Sequence, residues 1–228
     1  MRHLLLALPL LLSTALASAA PCQADTPIGQ WCDTPLAALH PTQPGIGQLQ
    51  VENEAAELRE LSADKLAAKI RKKAIPVVIG PGGTLYLVDR HHFASALLRL
   101  GVAAASVQVI GRLTQPDTFW HDMAARHWSW LRDQQGRPLA ASALPATLAA
   151  LPDDPYRSLA GLLQDKGYVA KQDEVYFVEF AWASWLGQQL HWANIDRGSL
   201  KQQLKQAQQL ACSAAASQLP GYPGKACR

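Results

Sequence analysis

The sequence predicts an α+β protein, on three observations. Two runs rich in branched and aromatic residues, Ile75–Ile79 and Leu85–Val88, flank Gly80-Pro81-Gly82-Gly83 and read as a hairpin with a glycine turn. The second run leads through Asp89-Arg90-His91-His92 into helical spacing from Phe93, where Ala96, Leu97 and Leu100 share a face and Gly101 is placed to end the helix. A further β-branched strand, Ser106–Ile110, follows, and beyond Asp117 the periodic stretches are helical. The fold class is therefore a small mixed sheet with helices, extended by a C-terminal helical part.

In chain order, Arg2 and His3 precede an apolar core, Leu4 to Leu16, and the small-residue pattern Ala17-Ser18-Ala19, so residues 1–19 read as a signal peptide cut after Ala19. The apolar run is too short to span a bilayer as a helix. Cys22 lacks the small residue that a lipoprotein signal needs immediately before it. A soluble exported protein, periplasmic or secreted, is expected, with no membrane partner once the leader is removed. Residues 20–47 carry Pro21, Pro27, Pro35, Pro41 and Pro44 and read as an extended arm. Residues 48–135 would form the sheet domain. It begins with a short strand over Gln48–Val51, an acidic helical turn to Leu61, and a helix Ala63–Lys73 capped by Ser62 and stopped by Pro76. Phe119, Trp120, Met123, His127, Trp128 and Trp130 suit one core-packed helix, closed by a turn at Asp133-Gln134-Gln135-Gly136.

Residues 136–228 form the helical extension. Pro138 to Pro152 is an alanine and proline connector. Asp153 is the expected N-cap of a helix over Tyr156–Gln164, with Pro155 tolerated in its first turn. A longer helical element runs from Val175 through Leu190, and Ser199 caps an amphipathic helix to about Ala215.

Composition narrows the partners. The chain of 228 residues is 49% hydrophobic with a net charge of +3, too little to bind nucleic acid by a general positive field. Its one basic run, Lys69 to Lys73, fits the solvated end of a helix, where cations suit the dipole. The four cysteines pair most simply as Cys22–Cys32 and Cys212–Cys227, each closing a short loop and constraining the unfolded chain by about 3 kcal/mol. A cross-pairing that ties the two ends together is the alternative. Neither pair has zinc-site spacing.

The segment Leu85-Tyr86-Leu87-Val88-Asp89-Arg90-His91-His92, with Ala96 after it, resembles the Asp-Gly-His-His-x-x-x-Ala signature of the ParB-like putative nuclease family, part of the ParB and sulfiredoxin superfamily. Pro41-Thr42-Gln43, Pro76 to Pro81, Phe119-Trp120, Asp153-Asp154-Pro155-Tyr156-Arg157-Ser158-Leu159 and Phe177-x-Glu179-Phe180-x-Trp182-Ala183 extend the resemblance over roughly residues 39–190. It implies a nuclease acting on a phosphodiester or related phosphate ester. Two departures stand out. Arg90 holds the place of the family's glycine, and Phe93 holds the place where distant relatives carry a phosphate-binding arginine. The sulfiredoxin cysteine is absent, which excludes sulfinic acid repair.

The candidate site follows from residue chemistry. His91 and His92 sit at a helix start, where unpaired N–H groups favour anions, and are the candidate general acid and base, with Asp89 orienting an imidazole. Arg157, with Tyr156 and Gln43, would bind the phosphate or another anion; Arg157 equally suits pairing with Asp153 at helical spacing. Asp153, Asp154 and Glu179 would hold a divalent metal, although adjacent acids at a helix start are also capping groups and Glu179, amid Phe177, Phe180 and Trp182, suits an ion pair with Arg157. The substrate would be nucleic acid or a small anionic ligand. The alternatives are a non-catalytic protein binding that small anion in the same pocket, or a nucleotide-dependent phosphotransferase.

Overall fold

The protein is described here by a computed structural model that covers residues 19–170 and 175–224. The expected leader therefore lies, Ala19 apart, outside the described residues, and so does Cys227 of the expected C-terminal pair; Cys212 is not a free thiol. Cys22 and Cys32 are joined as expected.

Five strands, β1 (Trp31–Pro35), β2 (His40–Pro41), β3 (Ile75–Ile79), β4 (Leu85–Leu87) and β5 (Ala104–Arg112), form one mixed sheet in the order β1-β5-β3-β4-β2. The hairpin is β3 and β4, antiparallel with Val77 opposite Leu87. Gly82 and Gly83 turn it with φ of 68° and 81°, a region that costs glycine nothing. β5 lies parallel to β3. Both edges come from the proline-rich segment: β1 pairs antiparallel with β5, and β2 parallel with β4. The segment is extended as its prolines require, but it is built into the sheet, since an edge strand tolerates a missing N–H on its unpaired side.

Seven helices complete the described fold: α1 (Gln48–Arg59), α2 (Ala63–Lys73), α3 (His91–Arg99), α4 (Phe119–Ala125), α5 (Pro155–Asp165), α6 (Val178–Gln189) and α7 (Leu200–Ala211). The strand expected at Gln48–Val51 is instead the first turn of α1. Val51, Ala55 and Leu58 recur at helical spacing and are buried, and that face overrides a four-residue alternation. α4 is shorter than the aromatic spacing predicts, because His127 takes a left-handed φ of 56° and sends Trp128 and Trp130 out of the helix. The cap of α5 is Asp154, whose side chain accepts the Arg157 N–H, and not Asp153.

One core lies between the sheet and α1 and α3, with Val77, Leu87, Phe93, Leu97 and Val107 fully buried. A second gathers Leu159, Trp182, Leu186 and Ala207 from α5, α6 and α7. Each such large side chain contributes on the order of 1.5–3 kcal/mol. The two meet where α1 crosses α5. Gly47 is required there, because a Cβ on it would come within 2.7 Å of the Ser158 backbone nitrogen, and Gly161 leaves room for the Gln50 side chain, which a Cβ would displace. Among the described residues no helix is long and apolar enough to cross a membrane.

Candidate functional site

The strap from Thr42 to Gly47 ties these parts together. Thr42 Oγ1 donates to the Leu87 carbonyl at the end of β4, 2.7 Å away, and Ile46 exchanges backbone hydrogen bonds with Pro152 and Asp154 just before α5. The strap also holds both imidazoles. The Thr42 N–H donates to His91 Nε2 at 3.2 Å, and the Gly47 N–H donates to His92 Nε2 at 3.3 Å. A neutral ring that accepts at Nε2 carries its proton on Nδ1, so each histidine is fixed as one tautomer.

Burial, and then the positive charge of Arg157, push His91 down to about 3. The same two causes, followed by His91 itself, hold His92 well below the ordinary histidine value. Both rings are therefore neutral at physiological pH. They stand on the first turn of α3, which has no side-chain cap and so leaves its opening N–H groups to another acceptor.

Arg157 approaches from the first turn of α5. Its side chain is 5% exposed; Nη2 donates to Glu179 Oε2 at 3.1 Å, and Cζ lies 3.5 Å from the centre of the Phe180 ring. Nε and Nη1 have no hydrogen-bond partner among the described residues. A buried guanidinium left with free donors is expensive, and an anion is the group that relieves it.

These groups line one cleft of about 860 Å³. His91, His92, Asp89, Gln43, Arg157 and Glu179 are all on its walls. Three of the six non-glycine residues with positive φ among the described residues line it too: Arg90, His127 and Phe177. Such backbone costs on the order of 1 kcal/mol or more each and gathers at functional sites.

The other candidates are engaged with other partners. Asp89 lines the cleft but its side chain is exposed, accepting the Arg90 N–H at 2.7 Å and pairing with the Arg90 side chain, so it orients neither imidazole. Tyr156 donates its hydroxyl to the Ala193 carbonyl in the second core, away from the cleft. Asp153 and Asp154 each cap a helix: Asp153 Oδ1 accepts the Gln48 N–H at the start of α1, and Asp154 caps α5. With Glu179 committed to Arg157, the three carboxylates do not converge, and among the described residues no group of three His, Cys, Asp or Glu side chains is disposed to hold a metal. The described carboxylates do not together form a divalent-ion site.

The comparisons with known proteins agree with this architecture. The family described as Putative ParB-like nuclease matches residues 32–188. The chain belongs to this family. Its fold is also that of a solved structure, the crystal structure of protein Atu1540 from Agrobacterium tumefaciens, with a TM-score of 0.73 and 33% identity over 86% of this chain and 98% of that one. The comparison with curated proteins found no match.

In this ParB-like fold the position of the signature glycine is the residue before α3. Arg90 stands there with φ 67° and ψ 26°, so the left-handed turn that glycine would adopt freely is kept by a residue that pays for it. Phe93 is buried in the first core and brings no charge to the cleft. Two parts of the site escape sequence reasoning. Backbone N–H groups of Thr42 and Gly47 carry no side-chain signal, although Thr42 lies in the Pro41-Thr42-Gln43 stretch that marks the family. The rim formed by His127 and Tyr176 depends on two left-handed turns that periodicity does not reveal.

Proposed function

We propose that the cleft binds the phosphate group of a phosphodiester or related phosphate ester, and that the chain acts on that group as an exported nuclease. The observation that carries the reading is Arg157, buried, charged and left with unpartnered donors beside the uncapped start of α3. A phosphate oxygen laid there would receive hydrogen bonds from the guanidinium and from the α3 backbone, with the Nδ1–H of the two imidazoles as further donors.

The chemistry this supports differs from an imidazole acid–base pair. A histidine held near 3, with its lone pair already accepting a backbone N–H, is not a base at neutral pH. In this reading His91 and His92 position and donate. Glu179, a quarter exposed on the cleft wall, is the carboxylate beside the bound group: it takes the proton of the water that attacks phosphorus, and as the ester P–O bond breaks the leaving oxygen takes a proton from solvent. Arg157 stabilises the charge that develops on the phosphoryl oxygens. Export is supported by the Cys22–Cys32 bond, which an oxidising compartment preserves.

The same imidazole geometry favours a second reading, a binding protein without turnover. Purified, disulfide-intact protein assayed on single- and double-stranded nucleic acid and on a simple phosphodiester, with and without divalent ions, separates the two. Cleavage lost in Glu179→Gln supports the nuclease. Thermal stabilisation by phosphate without cleavage supports the binding protein. Neither cleavage nor stabilisation would overturn both.

A further inference from the structure

We propose that the rim of this cleft is a base-stacking platform, so that the ligand is an unpaired nucleic-acid strand, one phosphate held at Arg157 and one base laid on Tyr176. The inference rests on the phosphate-binding reading and narrows its ligand.

Tyr176 is 59% exposed, although the described residues expose only three large hydrophobic side chains, and Val175 beside it is another. Its ring is not adrift. It stacks on His127 at 4.2 Å between centroids and 18° between planes, which fixes one face while the residue as a whole stays more than half exposed. Both sides of this contact depend on unusual backbone, since His127 and the neighbouring Phe177 have left-handed φ of 56° and 60°. A surface that spends strain to hold an exposed aromatic flat is shaped for a flat partner.

The rings continue inward. Phe177 lies 6.5 Å from Tyr176, Phe180 lies 5.7 Å from Phe177, and the Arg157 guanidinium lies 3.5 Å over Phe180. An aromatic face leading to a buried cation matches the alternation of base and phosphate in a single strand, where stacking tolerates any base. A duplex hides its base faces and keeps its phosphates on a stiff outer surface. A cleft of about 860 Å³ is the size of a small-molecule site, and a guanidinium 5% exposed at its wall is out of reach of such a surface. The net charge of +3 agrees, because a strand held by one or two phosphates and a stacked base needs no broad basic face.

The test is fluorescence anisotropy of the full chain with a short labelled oligothymidine, comparing the unaltered protein with Tyr176→Ala and Tyr176→Phe. Tyr176→Ala is expected to weaken binding by about 5- to 150-fold, the range for losing one stacked base, and Tyr176→Phe to stay within about threefold. An oligonucleotide lacking bases should bind the unaltered protein and Tyr176→Ala alike. The affinity should fall with salt at a slope near −0.7 per phosphate held, for about one or two phosphates. Equal binding by Tyr176→Ala, or a duplex of the same length binding as tightly as the single strand, would overturn the inference. Inorganic phosphate in a thermal-shift assay separates the failures. If it still stabilises the protein, only the stacking platform falls; if it does not and no oligonucleotide binds, the phosphate site falls with it.

Discussion

Helices α3 and α5 each send side chains from the first turn into the cleft, yet they begin in opposite ways. α5 is closed: Asp154 accepts the Arg157 N–H, and Pro155 at the first position has no N–H to satisfy. α3 is open: the chain enters it through the left-handed Arg90, no side chain caps it, and its first two residues are neutral histidines whose Nε2 atoms face the strap. The difference teaches where stability and function were separated. The capped helix anchors a cation, and the uncapped one leaves donors for whatever that cation attracts.

Removing the cation breaks the comparison most directly. Arg157→Gln is expected to lower affinity for phosphate or a phosphate ester by about 100-fold or more, because the group lost is charged and buried. Arg157→Lys should recover part of this, keeping the charge without the planar fork. The measurement is the phosphate-induced rise in melting temperature for each variant. An undiminished rise in Arg157→Gln would place the anion elsewhere.

Acid sharpens it. The folded pKa of His91, about 3, lies below its unfolded value of 6.5, so the unfolded chain binds the proton more tightly. Stability is full above about pH 6.5 and falls as pH drops toward 3, by up to about 1.4 kcal/mol per pH unit per histidine. His92, shifted the same way, adds to the loss. Asp154 works in the opposite sense: burial raises its folded pKa, so its contribution favours the fold at low pH and is lost as pH rises through the carboxylate range. Denaturant unfolding between pH 7 and 4 should show the histidine slope, reduced in His91→Gln, whose amide oxygen can still accept the Thr42 N–H. A slope unchanged in that variant would sink the assignment.

The closed helix gives a smaller effect. Asp154→Ala should cost about 1 kcal/mol, or roughly 2–4 °C in a chain of this size, with phosphate affinity nearly unchanged. Asp153→Ala should cost less, since its bond to the Gln48 N–H is exposed. Loss of phosphate binding in either would show that the acids belong to the site and not to the helix ends.

How far the sequence reveals this follows from which forces act locally. The hairpin, the His-His helix, its stop at Gly101 and the Arg157–Glu179 pair are legible because turn chemistry, periodicity and the need of a carboxylate among aromatics for a cation are written in adjacent residues. The edge strands β1 and β2 are not, because prolines argue against a strand and only the sheet's free edges admit them. Asp153 and Asp154 mislead for another reason. Local reasoning allows one cap per helix start, and it cannot see that the strap brings α1 alongside, so that adjacent acids close two helices. Nor can it see that the lone pairs of His91 and His92 are taken by amides some 45–49 residues away in the chain.

The entrance to the open helix offers the subtlest test. Arg90 adopts φ 67° where the family signature has glycine, and its side chain makes only an exposed pair with Asp89 at 3.6 Å. Such a pair contributes little. Left-handed backbone costs a non-glycine residue about 1 kcal/mol, whereas glycine loses more freedom on folding, so the two effects oppose. Arg90→Gly should therefore raise stability by a few tenths to about 1 kcal/mol, while Arg90→Ala, which keeps the strain and loses the side chain, should not. If the two variants change stability equally, the turn before α3 is not strained, and the contrast between an open helix held under tension and a closed one at rest would lose its basis.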